Sequence, residues 1–256
     1  MGADEQEPVR LPLETWRSVR SNRASQDIID QVREAFFRGL KPGDWLGTEG
    51  DLAERFEVSR ITVRDAVRTL EASGIVEVKV GAKGGVRIAS GDPDRFADAL
   101  AVQLQLIGIE WSELLEAQLA IEAITAERAA ENVTLEQLTE LEAILDQCEL
   151  VLDEPETFTE LSLQFHLGIA AAARNRALAA SLRALRQVQV QEYTPHTSRE
   201  VAVGVLKAHR DIYGKIATGD ALGARALMSE HLHHVEARAT ERMSERSASP
   251  EGVRNE

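Results

Sequence analysis

Apolar residues recur at helical spacing along most of this chain, and the strand pattern is confined to one short region. Between residues 24 and 72 the helical pattern breaks at the Pro42–Gly43 turn and again at 57–59, so three helices are predicted. They start at Ser25 as N-cap, at 49 after the cap Thr48, and at 59. Two strand patterns, 75–80 and 86–90, then flank the glycine-rich stretch GAKGG and predict a β-hairpin.

Beyond residue 92 only the helical pattern continues, which predicts an all-α bundle. The predicted helices span residues 93–107, 110–132, 134–153, 155–174, 176–192, 199–218 and 220–243. Because two helices, a turn, a third helix and a hairpin are typical of a winged helix-turn-helix, the predicted fold class is mainly α. It comprises an N-terminal winged helix-turn-helix with a small β-hairpin wing and a C-terminal helical bundle.

The net charge of the chain changes near residue 91, where the strand pattern has ended and only the helical pattern continues. The formal net charge is −14 overall, of which residues 1–90 contribute only −1 and residues 91–256 contribute −13. We therefore predict two domains with different roles. The predicted boundaries are a tail and basic arm at 1–23, a DNA-binding domain at 24–90, an effector-binding and dimerisation domain at 91–244, and a disordered tail at 245–256.

Composition and apolar runs indicate the cellular compartment of the protein. A single cysteine, Cys148, excludes an intramolecular disulfide framework and fits a reducing compartment. The first ten residues are acidic and lack the apolar core of a secretory signal. No apolar run approaches the roughly 18 residues that a membrane span needs. We expect a cytoplasmic protein that does not engage a membrane.

Three arginines, at 60, 64 and 68, follow one another at four-residue spacing on the third predicted helix. Taken alone, such a row indicates an ordinary solvated helix face. Here it begins directly after the turn, where free backbone N–H groups at the helix start favour phosphate. Ser59 and Thr62 add short hydroxyl groups, and Lys83 lies at the tip of the wing. This context favours a recognition helix that binds DNA.

The segment KPGDWL…TEGDLAERFEVSRITVRDAVRTLEASGIVEV resembles the DNA-binding domain of GntR-type bacterial transcription regulators. The resemblance implies a homodimer that binds double-stranded DNA at a pseudo-palindromic operator. The residues that it places at the DNA are Thr48, Ser59, Arg60, Thr62, Arg64, Lys83 and Gly84. One departure stands out, because the arginine usual before the second helix is replaced by Gly50.

The helical half resembles the FadR-like effector domain, through FHLGIAAAARN, HRDIYGKIATGD and MSEHL. In that family an aspartate and three histidines bind a divalent metal beside a small-molecule effector. The resemblance places metal ligands at His166, His209 and His231. Ser162 stands where the aspartate is expected, and Gln118 where an arginine usually holds an effector carboxylate. The residues implied for effector binding are Gln118, Ser162, His166, His209 and His231.

Two interpretations of the histidines stay open. In one, the three imidazoles hold Zn²⁺ or a similar ion, for which three protein ligands suffice. In the other, they are satisfied core residues around a metal-free pocket. The serine at position 162 and the glutamine at position 118 weaken the case for a small organic acid as effector. A larger effector of the acyl type becomes plausible. Glu116, Glu122 and Asn175 are candidates for the neighbourhood of the pocket, but positions on helix surfaces or at caps are favoured for them.

The function favoured by these patterns is a ligand-responsive transcription regulator, a repressor rather than an enzyme. One alternative is a helical metal-dependent hydrolase with a DNA-binding head, although no His-Asp pair of the needed spacing supports it. The other is an architectural DNA-binding protein without an effector, for which a large second domain has no evident use.

Overall fold

The computed structural model describes residues 24–81, 84–193 and 197–248. The predicted tail and arm at 1–23, Lys83, and residues 249–256 lie outside this range. The chain divides between Asp92 and Pro93 into two compact units. In chain order the elements are α1 (Ala24–Phe37), β1 (Trp45–Gly47), α2 (Glu49–Phe56), α3 (Arg60–Ala72), β2 (Val76–Lys79), β3 (Gly85–Ile88), α4 (Pro93–Leu106), α5 (Trp111–Asn132), α6 (Leu135–Leu150), α7 (Pro155–Ala172), α8 (Arg176–Tyr193), α9 (Arg199–Ala217) and α10 (Ala221–Ala248).

The geometry of the helix-turn-helix depends on the N-caps of its two helices, Thr48 and Ser59, and on Glu57, whose backbone has the left-handed conformation. Thr48 caps α2 in a reciprocal capping box with Asp51, as its position before the apolar run predicts. The helix ends at Glu57, whose φ of 55° turns the chain towards Ser59, the N-cap of α3. The prediction that Ser25 caps α1 is wrong, because that helix already includes Ala24 and therefore contains Ser25.

The wing is one side of a three-stranded antiparallel sheet in the order β1-β3-β2. The predicted hairpin pairs Val76 with Ile88 and Lys79 with Gly85. No strand is predicted at the position of the third strand, β1, which follows the predicted Pro42–Gly43 turn. It is three residues long, too short to display an alternation of its own, and it exists because it pairs with β3.

Apolar side chains of all three helices and all three strands form the core of the first unit. Its buried residues are Ile28, Ile29, Val32, Leu40, Leu46, Leu52, Ala53, Phe56, Val63, Ala66, Val67, Leu70, Val76, Val86 and Ile88. This core packs the inner face of α3 and thereby determines which face of that helix meets solvent.

The second unit is helical throughout its described part, as predicted. Its helix ends lie within about three residues of the predicted ones except at α10. Thr134 and Gln137 form the predicted capping box of α6. Helix α10 continues to Ala248, beyond its predicted end at 243 and into the segment predicted as a disordered tail. Between residues 224 and 249 the sequence has no proline or glycine that would end the helix earlier.

The core of the second unit draws on helices α5, α6, α7, α9 and α10. Its largest fully buried side chains include Phe158, Phe165, Leu141, Leu145, Ile169, Ile212 and Ile216. The long helix α5 runs beside both α7 and α10, so residues that face inward on these three helices can meet. None of the described helices combines the length and the apolar character that a membrane crossing needs.

Candidate functional site

Helix α3 is fixed by its apolar face and leaves the opposite face exposed. The buried residues are Val63, Ala66, Val67 and Leu70. At the start of the helix, Oγ of Ser59 accepts a hydrogen bond from the backbone N–H of Thr62 at 3.2 Å. The two hydroxyl groups are also hydrogen-bonded to each other at 2.9 Å. These two residues, predicted to contact DNA, therefore also position the first turn of α3.

Arg64 lies against Glu49, the first residue of α2, and so joins the two helices of the helix-turn-helix. Its Nη2 donates to Oε2 of Glu49 at 2.8 Å, and its Nε donates to the same oxygen at 3.1 Å. These hydrogen bonds hold the pKa of Glu49 below its usual value, and the charges of Arg68 and Arg60 act in the same direction. The Arg64 side chain remains 53% exposed, so solvent still reaches it.

Arg60 occupies the space beside Gly50. A methyl group built on Gly50 would lie 3.4 Å from Nη2 and 3.7 Å from Cζ of Arg60. The family resemblance implies an arginine at position 50, and its absence leaves room for the guanidinium of Arg60. Both exposed arginines at the start of α3 thus lean towards α2.

Of the other predicted DNA-binding residues, Thr48 is the N-cap of α2 and Gly84 lies at the wing, whereas Lys83 is outside the described residues. Thr48 is exposed, and its hydroxyl donates to Oδ2 of Asp51 at 2.9 Å. The carbonyl of Gly84 accepts from the indole N–H of Trp45 at 3.3 Å. A Cβ at Gly84 would come within 2.3 Å of the carbonyl oxygen of Lys79, so the hairpin requires glycine there.

In the second unit, three histidines from three helices bring their ring nitrogens together. His166 lies on α7, His209 on α9 and His231 on α10, and all three are buried. Nε2 of His209 is 3.1 Å from Nε2 of His166 and 3.2 Å from Nε2 of His231. One ring nitrogen from each lies within 4.8 Å of the others, an arrangement that is able to hold a metal ion.

A buried carboxylate lies behind this cluster. Oε2 of Glu122, on α5, contacts Nδ1 of His166, and Oε1 accepts from the amide of Gln118 at 2.6 Å. Glu122 is 1% exposed. When the ring is neutral, a carboxylate at Nδ1 holds the ring proton on that nitrogen, which leaves the lone pair of Nε2 directed at the cluster. The pair Gln118 and Glu122 therefore orients His166.

His209 is the most enclosed of the three histidines. Its ring stacks on Phe165 with the centroids 4.7 Å apart. Burial, reinforced by the neighbouring His166 and His231, holds the pKa of His209 well below its ordinary value. Its Nδ1 is buried and has no hydrogen-bond partner in the described part of the chain. Burial therefore disfavours the charged form of this ring, and Nε2 is the nitrogen that faces the other two histidines.

The predicted effector residues do not all meet. The three histidines converge, and Gln118 reaches them through Glu122. Ser162 is half-buried on α7, one turn before His166, and no contact brings its hydroxyl to the cluster.

The expectation that Glu122 belongs to a helix surface is wrong. It lies in the stretch LAIEAITA, where an isolated acid among apolar neighbours is the signal that it faces inward. Glu116, in contrast, is exposed as predicted. Asn175 acts as a cap, because its Oδ1 accepts from the backbone N–H groups of Ala177 and Leu178.

Each of the two units matches a known protein family. Residues 24–87 match the family of bacterial regulatory proteins named gntR, and residues 113–234 match the FCD domain. The first match contains α1 to α3 and nearly all of the sheet. The second contains Gln118, Glu122 and the three clustered histidines.

The relatives of this chain are transcription regulators and not enzymes. The HTH-type transcriptional regulator LutR of Bacillus subtilis is 29% identical over 203 residues, 77% of this chain and 92% of LutR. The Exu regulon transcriptional regulator of Escherichia coli is 35% identical over 159 residues, 62% of this chain and 60% of that protein. A solved Streptococcus agalactiae GntR structure matches with a TM-score of 0.57 and 27% identity, covering 84% of this chain and 98% of that one. With both domains matched in this order, the chain belongs to the GntR family of bacterial transcription regulators and carries an FCD domain as its second unit.

Proposed function

We propose that this ligand-responsive regulator acts as a homodimeric repressor that reads a pseudo-palindromic operator with α3. The observation that carries the proposal is the exposed start of α3, where Arg60 and Arg64 face solvent on a helix anchored by its opposite side. Guanidinium groups at the start of such a helix suit guanine edges and phosphates in the major groove. Such a protein works in the cytoplasm, with the chromosome.

The two arginines have different parts in this proposal. Arg64 is held by Glu49, so its guanidinium is presented to DNA in one orientation. Arg60 is joined to no carboxylate by any ion pair of the described residues and lies beside Gly50. We assign direct base contact to Arg60, and to Arg64 a contact whose direction Glu49 sets. Thr48, Ser59, Thr62, Lys83 and Gly84 supply the surrounding phosphate contacts.

Operator selection from random double-stranded DNA tests this assignment. The wild-type protein should enrich a two-fold symmetric site, and footprinting should show protection of both halves. Arg60→Ala should weaken binding to that site by about 5- to 160-fold for each half-site, because a base-specific arginine contact is worth about 1–3 kcal/mol. Arg33→Ala removes the same charge from an exposed position on α1 and is the matched control. Equal binding by the Arg60 and Arg33 variants would contradict the assignment.

We further propose that His166, His209 and His231 hold a divalent metal in the FCD domain. The Nε2 separations of 3.1 Å and 3.2 Å suit nitrogen ligands at the ~2.0–2.1 Å that zinc adopts in a tetrahedral site. The carboxylate of Glu122 on Nδ1 of His166 is the outer partner that metal-bound histidines usually have. A bound ion would supply positive charge with an open position for an oxygen donor.

The effector in this proposal is an organic acid or acyl compound that offers a carboxylate or carbonyl oxygen. Gln118 and Glu122 bring no positive charge to the histidines, and Gln118 is already bonded to Glu122. The positive charge that attracts such an oxygen therefore has to come from the metal ion. Effector binding would shift the protein between states of different operator affinity.

Elemental analysis and native mass spectrometry of the purified protein test the metal proposal. One metal ion per chain is expected, and His166→Ala should remove it. The matched control is His233→Ala, which deletes an exposed histidine two positions from His231 on α10. A metal-free wild-type protein that carries an apolar mass would instead support the alternative of a metal-free pocket.

A further inference from the structure

One apolar side chain stands in the middle of the exposed face of α3. Ile61 is 72% exposed, although isoleucine is among the residues most often buried. With about 100° between successive helical residues, position 61 lies opposite the buried group formed by Val63, Ala66, Val67 and Leu70. Ile61 is therefore the residue of the first turn that points most directly away from the core.

Single exposed apolar residues are common and by themselves mean little. The neighbours of Ile61 make its exposure informative. Arg64 is bonded to Glu49, and Arg60 lies beside Gly50, so both long side chains are drawn to the α2 side of the helix. Neither covers Ile61. The side chain is thus left open between groups that are themselves suited to DNA.

We infer that Ile61 reads the C5-methyl group of a thymine in each half of the operator. Its side chain carries no hydrogen-bonding group, so it cannot read the donors and acceptors of base edges. The thymine methyl is the apolar group that unmodified DNA presents in the major groove. Contact with it removes the exposed isoleucine surface from water. The inference rests on the proposed function, in which α3 enters that groove.

Uracil substitution tests the contact directly, because it deletes the methyl group and leaves every hydrogen bond of the base unchanged. The full-length protein is first used to select its operator from random duplex DNA, and each thymine is then replaced by deoxyuridine in turn. Wild-type affinity should fall about fourfold at one thymine per half-site, the loss expected for one methyl group. At that thymine the Ile61→Ala variant should bind both duplexes equally.

Two further variants separate this contact from a general effect on binding. Ile61→Val keeps a branched apolar group and should retain part of the sensitivity to uracil. Phe37→Ala removes an exposed apolar side chain from α1 in the same unit and should retain all of it. Since alanine is the better helix former, Ile61→Ala is expected to fold.

The outcomes are distinct. If wild-type binding is insensitive to uracil at every thymine, or if Ile61→Ala keeps the wild-type sensitivity, the Ile61 contact is overturned while operator binding stands. If selection recovers no site at all, the proposed function and this inference fail together.

Discussion

The carboxylate of Glu122, on α5, contacts Nδ1 of His166, on α7, and both side chains are buried. These residues are 44 positions apart in the chain. The contact gives the histidine cluster an acidic partner, although position 162 carries serine. It also places the negative charge on the outer side of the ring, where it orients a ligand rather than acting as one.

Glu122→Gln should weaken metal binding by about 10- to 100-fold, the usual effect of losing the outer partner of a metal-bound histidine. Titration of the apo protein against a competing chelator dye measures the change. Glu116→Gln removes an exposed carboxylate from the same helix and should leave the affinity unchanged. Equal affinities of the two variants would show that Glu122 does not orient His166.

Glu49→Gln should make DNA binding stronger but less selective. The carboxylate repels phosphate and holds Arg64, so its removal frees one guanidinium for the DNA backbone. The plot of log affinity against log salt should steepen by about 1.8, because each of the two protomers gains one phosphate contact worth about 0.9. The ratio of operator to random-sequence affinity should fall.

Fluorescence anisotropy at several salt concentrations provides both quantities. The control is Glu34→Gln, which removes the partner of Arg38 on the exposed side of α1. A Glu49 variant whose salt dependence equals that of the control would mean that Arg64 gains no phosphate contact when Glu49 is neutralised.

Gly50→Arg should change the operator sequence that the protein selects. The new side chain needs the space in which the Arg60 guanidinium lies, and the two like charges repel. Arg60 must then move, so the base pairs that it reads should change. Repeated selection with the variant measures this, while Gly50→Ala adds a methyl group without charge and should select the wild-type site.

Gly84→Ala should destabilise the first unit by about 1–3 kcal/mol, because the added Cβ would meet the Lys79 carbonyl at 2.3 Å. Chemical denaturation followed by circular dichroism measures the loss. Gly91→Ala is the control, since a Cβ there meets nothing within 4 Å. Reduced DNA binding with unchanged stability would instead indicate that Gly84 acts at the DNA alone.

Local patterns predicted the elements of this fold, because caps and apolar periodicity are local. The capping boxes at Thr48 and Thr134 are visible in the sequence and are present in the structure. The features that the sequence did not predict depend on contacts with residues that are distant in the chain. Strand β1 forms only by pairing with β3, and the inward position of Glu122 follows from the packing of α5 against α7. Ile61 points away from the core by helical spacing alone, but it stays uncovered because Arg60 and Arg64 lean towards Gly50 and Glu49 on α2.

The histidine site has a mechanical consequence for the helical unit. Its groups come from α5, α7, α9 and α10, whose side chains pack against one another. In the proposed metal-bound state, the ion would join α7, α9 and α10 directly and α5 through Glu122, so loading or emptying the site would change how far these helices can move relative to one another. An effector bound to that ion would thereby alter the stiffness of the helical unit from its interior.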